Sequence, residues 1–333
     1  MRRIVAALTG LALAACSPST EEEATASPQP EFESSTEALT TQNGGSLNGG
    51  SLNGGSLNGG SLNGGSLNGN NLSGFVVSVD YALAAVNGSS DLDWVALEGT
   101  TFHAQKGAVV YSGYDFINAW FYGNLGDGRR AKLRVAAMRQ AAAPNADLTE
   151  YFVEYMDDSG IWYPFCRDAA NTPVWAYPVK GVYDYRSGVP TGGAHFDDAA
   201  HFTFACAGGA INKCVNLGYR PWAQKEGVSL APYHQACTRL IRADYCGDGT
   251  SYTQNGNRVN LYDPLGIQQD TEHWFFEANW DESGATCFSP LNRSRAGIPC
   301  YNDRLDLFCG VQVTEPNLGI LLQNETPTAG LTP

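Results

Sequence analysis

A cysteine and two histidines are the residues of this chain that could form a nucleophilic pair. A thiolate is activated by a neighbouring imidazole, and Cys246 could meet His234 or His273. Cys246 comes at the predicted end of a helix, where backbone carbonyls disfavour the thiolate. The competing interpretation is that Cys246 belongs to a disulfide, as is usual in exported, cysteine-rich chains.

A second group of side chains could bind a metal ion. His195, Asp197, Asp198 and His201 lie within seven residues, and imidazole and carboxylate groups suit zinc or a harder divalent ion. The spacing matches no compact zinc motif, and a Gly-Gly pair at 192–193 favours a solvated surface loop. We therefore expect no metal site here and no cofactor.

Other catalytic signatures are missing from the sequence. It contains no G-x-S-x-G elbow, P-loop, G-x-G-x-x-G or H-E-x-x-H motif. A pair of carboxylates of the glycosidase type stays open as an alternative, because acidic residues are numerous but no spacing identifies the pair. Aromatic residues between Trp175 and Tyr185 alternate with small or polar residues and could line a surface that binds a glycan or a partner protein.

The N-terminus predicts export. Met1-Arg2-Arg3 precedes the uncharged apolar run Ile4–Ala15, which is too short to span a bilayer and is typical of a signal peptide over residues 1–15. Leu13-Ala14-Ala15-Cys16 resembles the bacterial lipobox, which implies acylation of Cys16 and attachment to the membrane through its lipid. Ser17, by resemblance to the known sorting rule, favours the outer membrane. The alternative is an ordinary secretory peptide cut near the same alanines.

The cysteine count agrees with a lipidated Cys16. Nine cysteines are present, so an even number remains after Cys16. All eight follow the export signal, which suits up to four disulfides in an oxidising compartment, with 105 pairings open. The disulfide candidates are Cys166, Cys206, Cys214, Cys237, Cys246, Cys287, Cys300 and Cys309.

Composition excludes one class of partner. The 333-residue chain has a formal net charge of −14 and no Lys/Arg-rich run. Nucleic-acid binding needs clustered basic side chains on the phosphates, so no nucleic-acid partner is expected.

Two low-complexity segments follow Cys16. Residues 16–42 are rich in glutamate and lack basic residues, which predicts a disordered acidic tether. Residues 43–74 repeat Asn-Gly-Gly-Ser-Leu with a period of five and resemble pentapeptide repeats. Glycine content and the small number of repeats favour a flexible linker over a short β-helix-like coil.

The folded part is expected at residues 75–320, with a β subregion at 75–165 and a flexible tail at 321–333. Helices are predicted at Ala210–Leu217 and Pro232–Tyr245. Together these elements predict an α+β fold, strand-rich, stapled by disulfides and with two central helices. Strands are predicted at Phe75–Val79, Ala108–Tyr111, Lys132–Ala137, Tyr151–Tyr155, Val174–Tyr177, His201–Phe204 and Trp274–Ala278.

The passage from 202 to 249 includes Ala243-Asp244-Tyr245-Cys246 after the second predicted helix. It resembles the ADYC-domain family of exported bacterial proteins, and the resemblance implies a compartment but no reaction. Helical spacing puts Cys237, Leu240, Ile241 and Asp244 on one buried face, with Arg239 and Arg242 away from it. Asp244 would then need a partner, either backbone N–H groups or an arginine from a neighbouring element.

These observations predict an envelope lipoprotein whose domain is a non-catalytic module that binds an envelope protein or glycan. The chain has few catalytic motifs and many cysteines, which supports this hypothesis. The alternatives are an envelope hydrolase that uses Cys246 with a histidine, or paired carboxylates, and a purely structural spacer.

Overall fold

The computed structural model describes residues 66–68, 73–168, 170–253, 257–294, 297–310 and 319–327. The predicted signal peptide, Cys16, the acidic tether and nearly all of the five-residue repeat lie outside these residues and stay predictions. Within the repeat, Ser66–Asn68 forms strand β1, which pairs antiparallel with residues 73–75.

Strands dominate the described residues, and three short α-helices and one 3-10 turn accompany them. The first strands after β1 are β2 (Ser73–Ala85), β3 (Trp94–Glu98), β4 (Thr101–Lys106), β5 (Val109–Ser112), β6 (Trp120–Leu125), β7 (Arg130–Gln140), β8 (Thr149–Met156), β9 (Trp162–Pro164), β10 (Ala176–Lys180), β11 (Val182–Tyr183), β12 (His195–Phe196) and β13 (His201–Cys206). The later elements are α1 (Ala210–Asn216), β14 (Gln224–Lys225), β15 (Val228–Ser229), α2 (Ala231–Arg242), β16 (Asn260–Tyr262), β17 (Phe275–Asp281), β18 (Gly284–Phe288), α3 (Tyr301–Arg304) and β19 (Leu322–Thr326). The 3-10 turn is Gly113–Phe116.

Six antiparallel strands close into a barrel in the order β2-β13-β10-β8-β7-β6, and β6 pairs back with β2. Buried and half-exposed residues alternate along β6 and along the first part of β7, so one face of the sheet is apolar. Closure removes the two open edges that such a sheet would otherwise expose. We refer to these six strands as the barrel.

Aromatic side chains fill the centre of the barrel. Phe102, which comes from the three-stranded sheet β3-β4-β5, is fully buried. Its ring lies 5.0 Å from that of Phe202, 5.1 Å from Phe121 and 5.3 Å from Tyr151, between centroids. The small sheet therefore contributes a ring to the core of the barrel.

The remaining elements form what we call the cystine region, residues 209–310 together with β19. Helix α2 packs against α1 and against the four-stranded sheet β16-β19-β17-β18, and α1 also packs against β13. Three of the four disulfides lie here and the fourth joins β13 to the segment after β9. The pairs are Cys166–Cys206, Cys214–Cys237, Cys246–Cys300 and Cys287–Cys309.

The prediction that all eight later cysteines form disulfides is confirmed, and both predicted helices and the seven predicted strands are present. The α+β fold class is wrong. The two central helices are short, and α2 packs on a small four-stranded sheet, whereas the larger sheet buries its aromatic face by closing on itself.

Two predicted boundaries also change. The β subregion does not end at 165, because β10 and β13 close the barrel. The predicted flexible tail at 321–333 is wrong over Leu322–Thr326, because these residues form β19, which pairs with both β16 and β17. Leu322 and Asn324 are fully buried there, so the segment is held by packing as well as by backbone hydrogen bonds. In the part of the chain that the structure describes, no helix is long and apolar enough to cross a bilayer.

Candidate functional site

The four residues 243–246 form the turn that ends α2. Ala243 is the helix C-cap and has a left-handed φ of 52°, with its N–H donating to the carbonyls of Arg239 and Leu240. Its side chain is buried in the cystine-region core. The helix ends at Arg242 rather than at Tyr245 as predicted, because this left-handed residue redirects the backbone.

Asp244 is fully buried and has three partners. One carboxylate oxygen accepts the N–H of Gly249 at 3.0 Å and a hydrogen bond from Arg239, and the other accepts the N–H of Asp248 at 3.1 Å. The prediction that Asp244 needs partners is confirmed. The arginine comes from its own helix and not from a neighbouring element.

Tyr245 and a second buried charge pair complete the turn. The Tyr245 hydroxyl donates to Glu277 Oε1 at 2.8 Å, and Arg293 Nε lies 3.5 Å from the same oxygen. Burial and then the Glu277 carboxylate raise the pKa of Tyr245 well above its usual range. Arg293 also donates to the carbonyl of Leu240, so this network ties the sheet to α2.

Arg239 and Arg242 are 2% and 1% exposed, so the prediction that they lie away from the buried face is wrong. From Tyr233 to Arg242 the helix is buried on all sides, because it packs against α1 and against the four-stranded sheet, and polar residues there cannot avoid the interior. Arg242 donates to the carbonyl of Gly249 at 2.7 Å. Burial lowers its pKa to about 10, which leaves the guanidinium charged at neutral pH.

The predicted thiol pair is not assembled. Cys246 is bonded to Cys300, with the Cα atoms 5.7 Å apart. His234 is fully buried on α2, where Nδ1 lies 3.3 Å from the Tyr183 hydroxyl and Nε2 lies 3.2 Å from the Ile211 carbonyl. Burial, and then the proximity of His195, lower the pKa of His234 to about 3. The remaining candidate, His273, is exposed on the segment before β17.

The two histidines of the predicted metal-binding segment, His195 and His201, contact different partners. His195 Nε2 lies 3.0 Å from the carbonyl oxygen of Lys180. His201 lies between two carboxylates, with Nδ1 2.7 Å from Asp198 and Nε2 3.1 Å from Asp80. Within the described ranges, no three His, Cys, Asp or Glu side chains are gathered so that they could bind a metal ion.

Asp270 and Glu325 form a pair of carboxylates that the sequence did not identify. Asn260 Nδ2 donates to Asp270 at 2.8 Å and to Glu325 at 3.2 Å. Glu325 also accepts the backbone N–H of Trp274 at 3.0 Å. Burial, and then these two carboxylates, raise the pKa of the neighbouring Tyr262.

Most aromatic residues of the predicted binding segment are structural. Trp175, Tyr177 and Tyr183 are buried, and Tyr185 is 39% exposed. Trp175 precedes β10, and Tyr177 of β10 and Tyr183 of β11 pack in a buried cluster with Ile211 and Val215 of α1.

Aromatic and charged residues that sequence reasoning missed share the outside of the barrel. Lys132 Nζ lies 4.3 Å from the centroid of the Trp120 ring, and the guanidinium of Arg134 lies 4.4 Å from that of Trp162. The only sequence signal was the alternation along β6 and β7. We call this surface the outer face; it comprises Trp120, Tyr122, Arg130, Lys132, Arg134, Glu154, Met156, Trp162 and Pro164, all exposed or half-buried.

Ion pairs fix the two arginines of the outer face. Arg134 Nε donates to Glu154 at 3.1 Å, and a terminal nitrogen of the same guanidinium donates to the same carboxylate oxygen. Arg130 pairs with Asp80 and lies over the ring of Tyr122 at 4.7 Å. Each arginine is therefore held between a carboxylate and an aromatic ring, which orders the surface.

Comparison with known proteins gives the family. The ADYC domain profile matches residues 113–294, more than half of the chain, and the protein belongs to the ADYC domain family. No curated protein and no solved structure matches the chain. The matched residues include the turn at 243–246, the strands of the outer face and most of the barrel.

Proposed function

We propose that this protein is a bacterial envelope lipoprotein whose domain is a non-catalytic module that binds an envelope component. The four residues Ala243-Asp244-Tyr245-Cys246 all have structural roles. Ala243 caps a helix, Asp244 and Tyr245 are hydrogen-bonded in the interior, and Cys246 forms a disulfide. None of the four presents a reactive group to solvent.

The compartment is supported by two independent features. Four disulfides are typical of an oxidising, extracytoplasmic compartment. The basic and apolar N-terminal sequence ending at Cys16 supports export and acylation, and Ser17 supports outer-membrane sorting. Several acyl chains at about 0.8 kcal/mol per buried CH₂ would anchor the chain firmly, and the acidic tether and the repeat would separate the domain from the membrane.

The observation that carries the binding function is the outer face. Its aromatic and charged side chains are held in rows on a sheet before a ligand binds. Little side-chain entropy is then lost on binding.

Cosedimentation of the full-length exported protein with detergent-extracted envelope fragments tests this function. Extraction removes the lipid into which the acyl chains would partition. We expect saturable binding with no release of soluble products from the fragments. Release of products would establish turnover and contradict the proposal, and a complete lack of binding would favour the spacer function.

A second candidate, hydrolysis by paired carboxylates, is supported by the convergence of Asp270 and Glu325 on Asn260. In this function the exported protein releases soluble products from the envelope fragments, and Glu325→Gln abolishes the release. If Glu325→Gln and the wild-type protein behave alike, this pair has no catalytic role.

A further inference from the structure

The outer face is arranged as two rows that run across the strands. Directly paired residues of antiparallel strands lie on the same side of the sheet. Four strands about 4.8 Å apart span about 14 Å, so each row offers groups to an extended ligand. One row is Tyr122, Lys132, Met156 and Trp162, and the other is Trp120, Arg134, Glu154 and Pro164.

The rows combine flat surfaces with hydrogen-bonding groups. Aromatic rings and guanidinium groups are planar, and the side chains of Arg130 and Arg134 are 42% and 32% exposed. The carboxylate of Glu154, 18% exposed, accepts hydrogen bonds, and the arginines donate them. A ligand that matches this surface needs an apolar face for the rings and groups that both donate and accept. A pyranose has this combination, in its C–H face and its hydroxyl groups.

The charges of the outer face and of the whole chain favour a neutral ligand over an acidic one. Arg130, Lys132 and Arg134 are balanced by Asp80 and Glu154, which leaves one uncompensated positive charge on the outer face. The whole chain carries −14. An acidic polymer or an anionic membrane surface would be repelled by the chain and meet few free cations, whereas a neutral polymer would experience neither effect.

On the basis of the proposed function, we propose that the outer face binds a neutral polysaccharide. Its sugar rings stack on Trp120 and Trp162, and its hydroxyl groups bond to Arg134 and Glu154. The ion pairs hold these side chains in place in the free protein.

Affinity electrophoresis of the full-length exported protein in non-ionic detergent tests this inference. The gels contain dextran, mannan or laminarin as neutral probes, and alginate or dextran sulfate as acidic probes. We expect at least one neutral polysaccharide to retard the protein and neither acidic one to do so. Trp162→Ala weakens the retarding interaction at least tenfold. Arg134→Gln should also weaken the interaction. Because it removes no packed ring, it tests the same surface even if the tryptophan variant misfolds.

Trp94→Ala is the matched control, because Trp94 is a 43% exposed tryptophan on β3, outside the outer face. It should retain wild-type retardation. Retardation by acidic polymers alone, no retardation by any probe, or equal effects of Trp162→Ala and Trp94→Ala would overturn the inference.

Protease-treated envelope fragments separate this inference from the proposed function. We expect binding to survive treatment of the fragments with protease. Binding that is lost after protease treatment would identify a protein partner, which would contradict the polysaccharide but leave the binding module standing.

Discussion

The barrel and the cystine region fill their interiors in different ways. The barrel core is made of aromatic and aliphatic side chains around Phe102, and on its outer face the two arginines are paired with carboxylates. The cystine region buries charged side chains and holds three of the four disulfides. Arg239, Arg242, Asp244, Glu277 and Arg293 are each at most 3% exposed.

This difference indicates different sources of stability. Apolar packing is non-directional and tolerates substitutions that conserve volume. A buried ion pair depends on every hydrogen bond, because a charge left alone in the interior is strongly destabilising. We therefore expect the cystine region to be sensitive to conservative changes and the barrel to tolerate them.

The largest expected effect is at Asp244. Asp244→Ala leaves Arg239 without its carboxylate partner and should lower the free energy of unfolding by about 3–5 kcal/mol. Asp244→Asn should recover little of this, because an amide places N–H groups towards the donors that the carboxylate accepts. Leu133→Met, a comparable change in the barrel core, should cost less than about 1.5 kcal/mol. Urea denaturation with the disulfides intact measures the free energy of unfolding of all three variants. Equal losses in Asp244→Asn and Leu133→Met would contradict the expected difference between the cystine region and the barrel.

The disulfides allow the same comparison. Replacing both Cys246 and Cys300 by alanine should cost about 2–5 kcal/mol. The matched variant replaces Cys166 and Cys206. Sequence separations of 54 and 40 residues give entropic terms that differ by only about 0.3 kcal/mol. We expect the Cys246–Cys300 variant to have the lower melting temperature, because the buried polar network depends on that turn. A lower melting temperature for the Cys166–Cys206 variant would contradict this expectation.

Acid should destabilise the cystine region through His234. The pKa of this histidine is about 3 in the folded chain and about 6.5 when unfolded. Between these values the unfolded chain binds a proton that the folded chain does not, so stability falls as pH falls. From pH 8 to pH 5 this group should account for a loss of about 2 kcal/mol.

His234→Gln tests the assignment. It should flatten the dependence of the melting temperature on pH, whatever its effect on stability at pH 8. The half-exposed His201→Gln is the control for a general loss of imidazole, and it should leave the contribution of His234 in place. An unchanged slope in His234→Gln would contradict the assignment.

The smallest expected effect is on the outer face. Arg134 and Glu154 are 32% and 18% exposed, and ion pairs of this kind contribute about 0–1 kcal/mol. Arg134→Gln should therefore lower the free energy of unfolding by less than about 1 kcal/mol while it weakens polysaccharide binding. A loss above about 2 kcal/mol would show that this pair supports the barrel rather than a ligand.

Local patterns in the sequence predicted local structure well. Alternating or apolar runs identified seven strands, Pro232 marked the start of α2, and the even number of later cysteines indicated disulfides. The need of Asp244 for partners followed from helical spacing. These features depend on residues that are close together in the chain.

The features that could not be predicted from the sequence depend on pairing between strands that are far apart in the chain. Closure of the barrel requires β2 to pair with both β6 and β13, and no local pattern states this. The tail became a strand because β19 lies between β16 and β17. The residues of the outer face, from 120 to 164, become neighbours because of the register in which β6, β7, β8 and β9 pair. Asp270 and Glu325 come together because both accept a hydrogen bond from Asn260.

The central claim is that the turn at 243–246 is scaffold, with Cys246 held in a disulfide. Its most direct test is the intact mass of the exported protein after unfolding with iodoacetamide, with and without prior reduction. The account predicts no alkylation before reduction and eight alkylated cysteines after it. Alkylation of Cys246 in the unreduced protein would contradict the claim and restore a thiol chemistry to this turn.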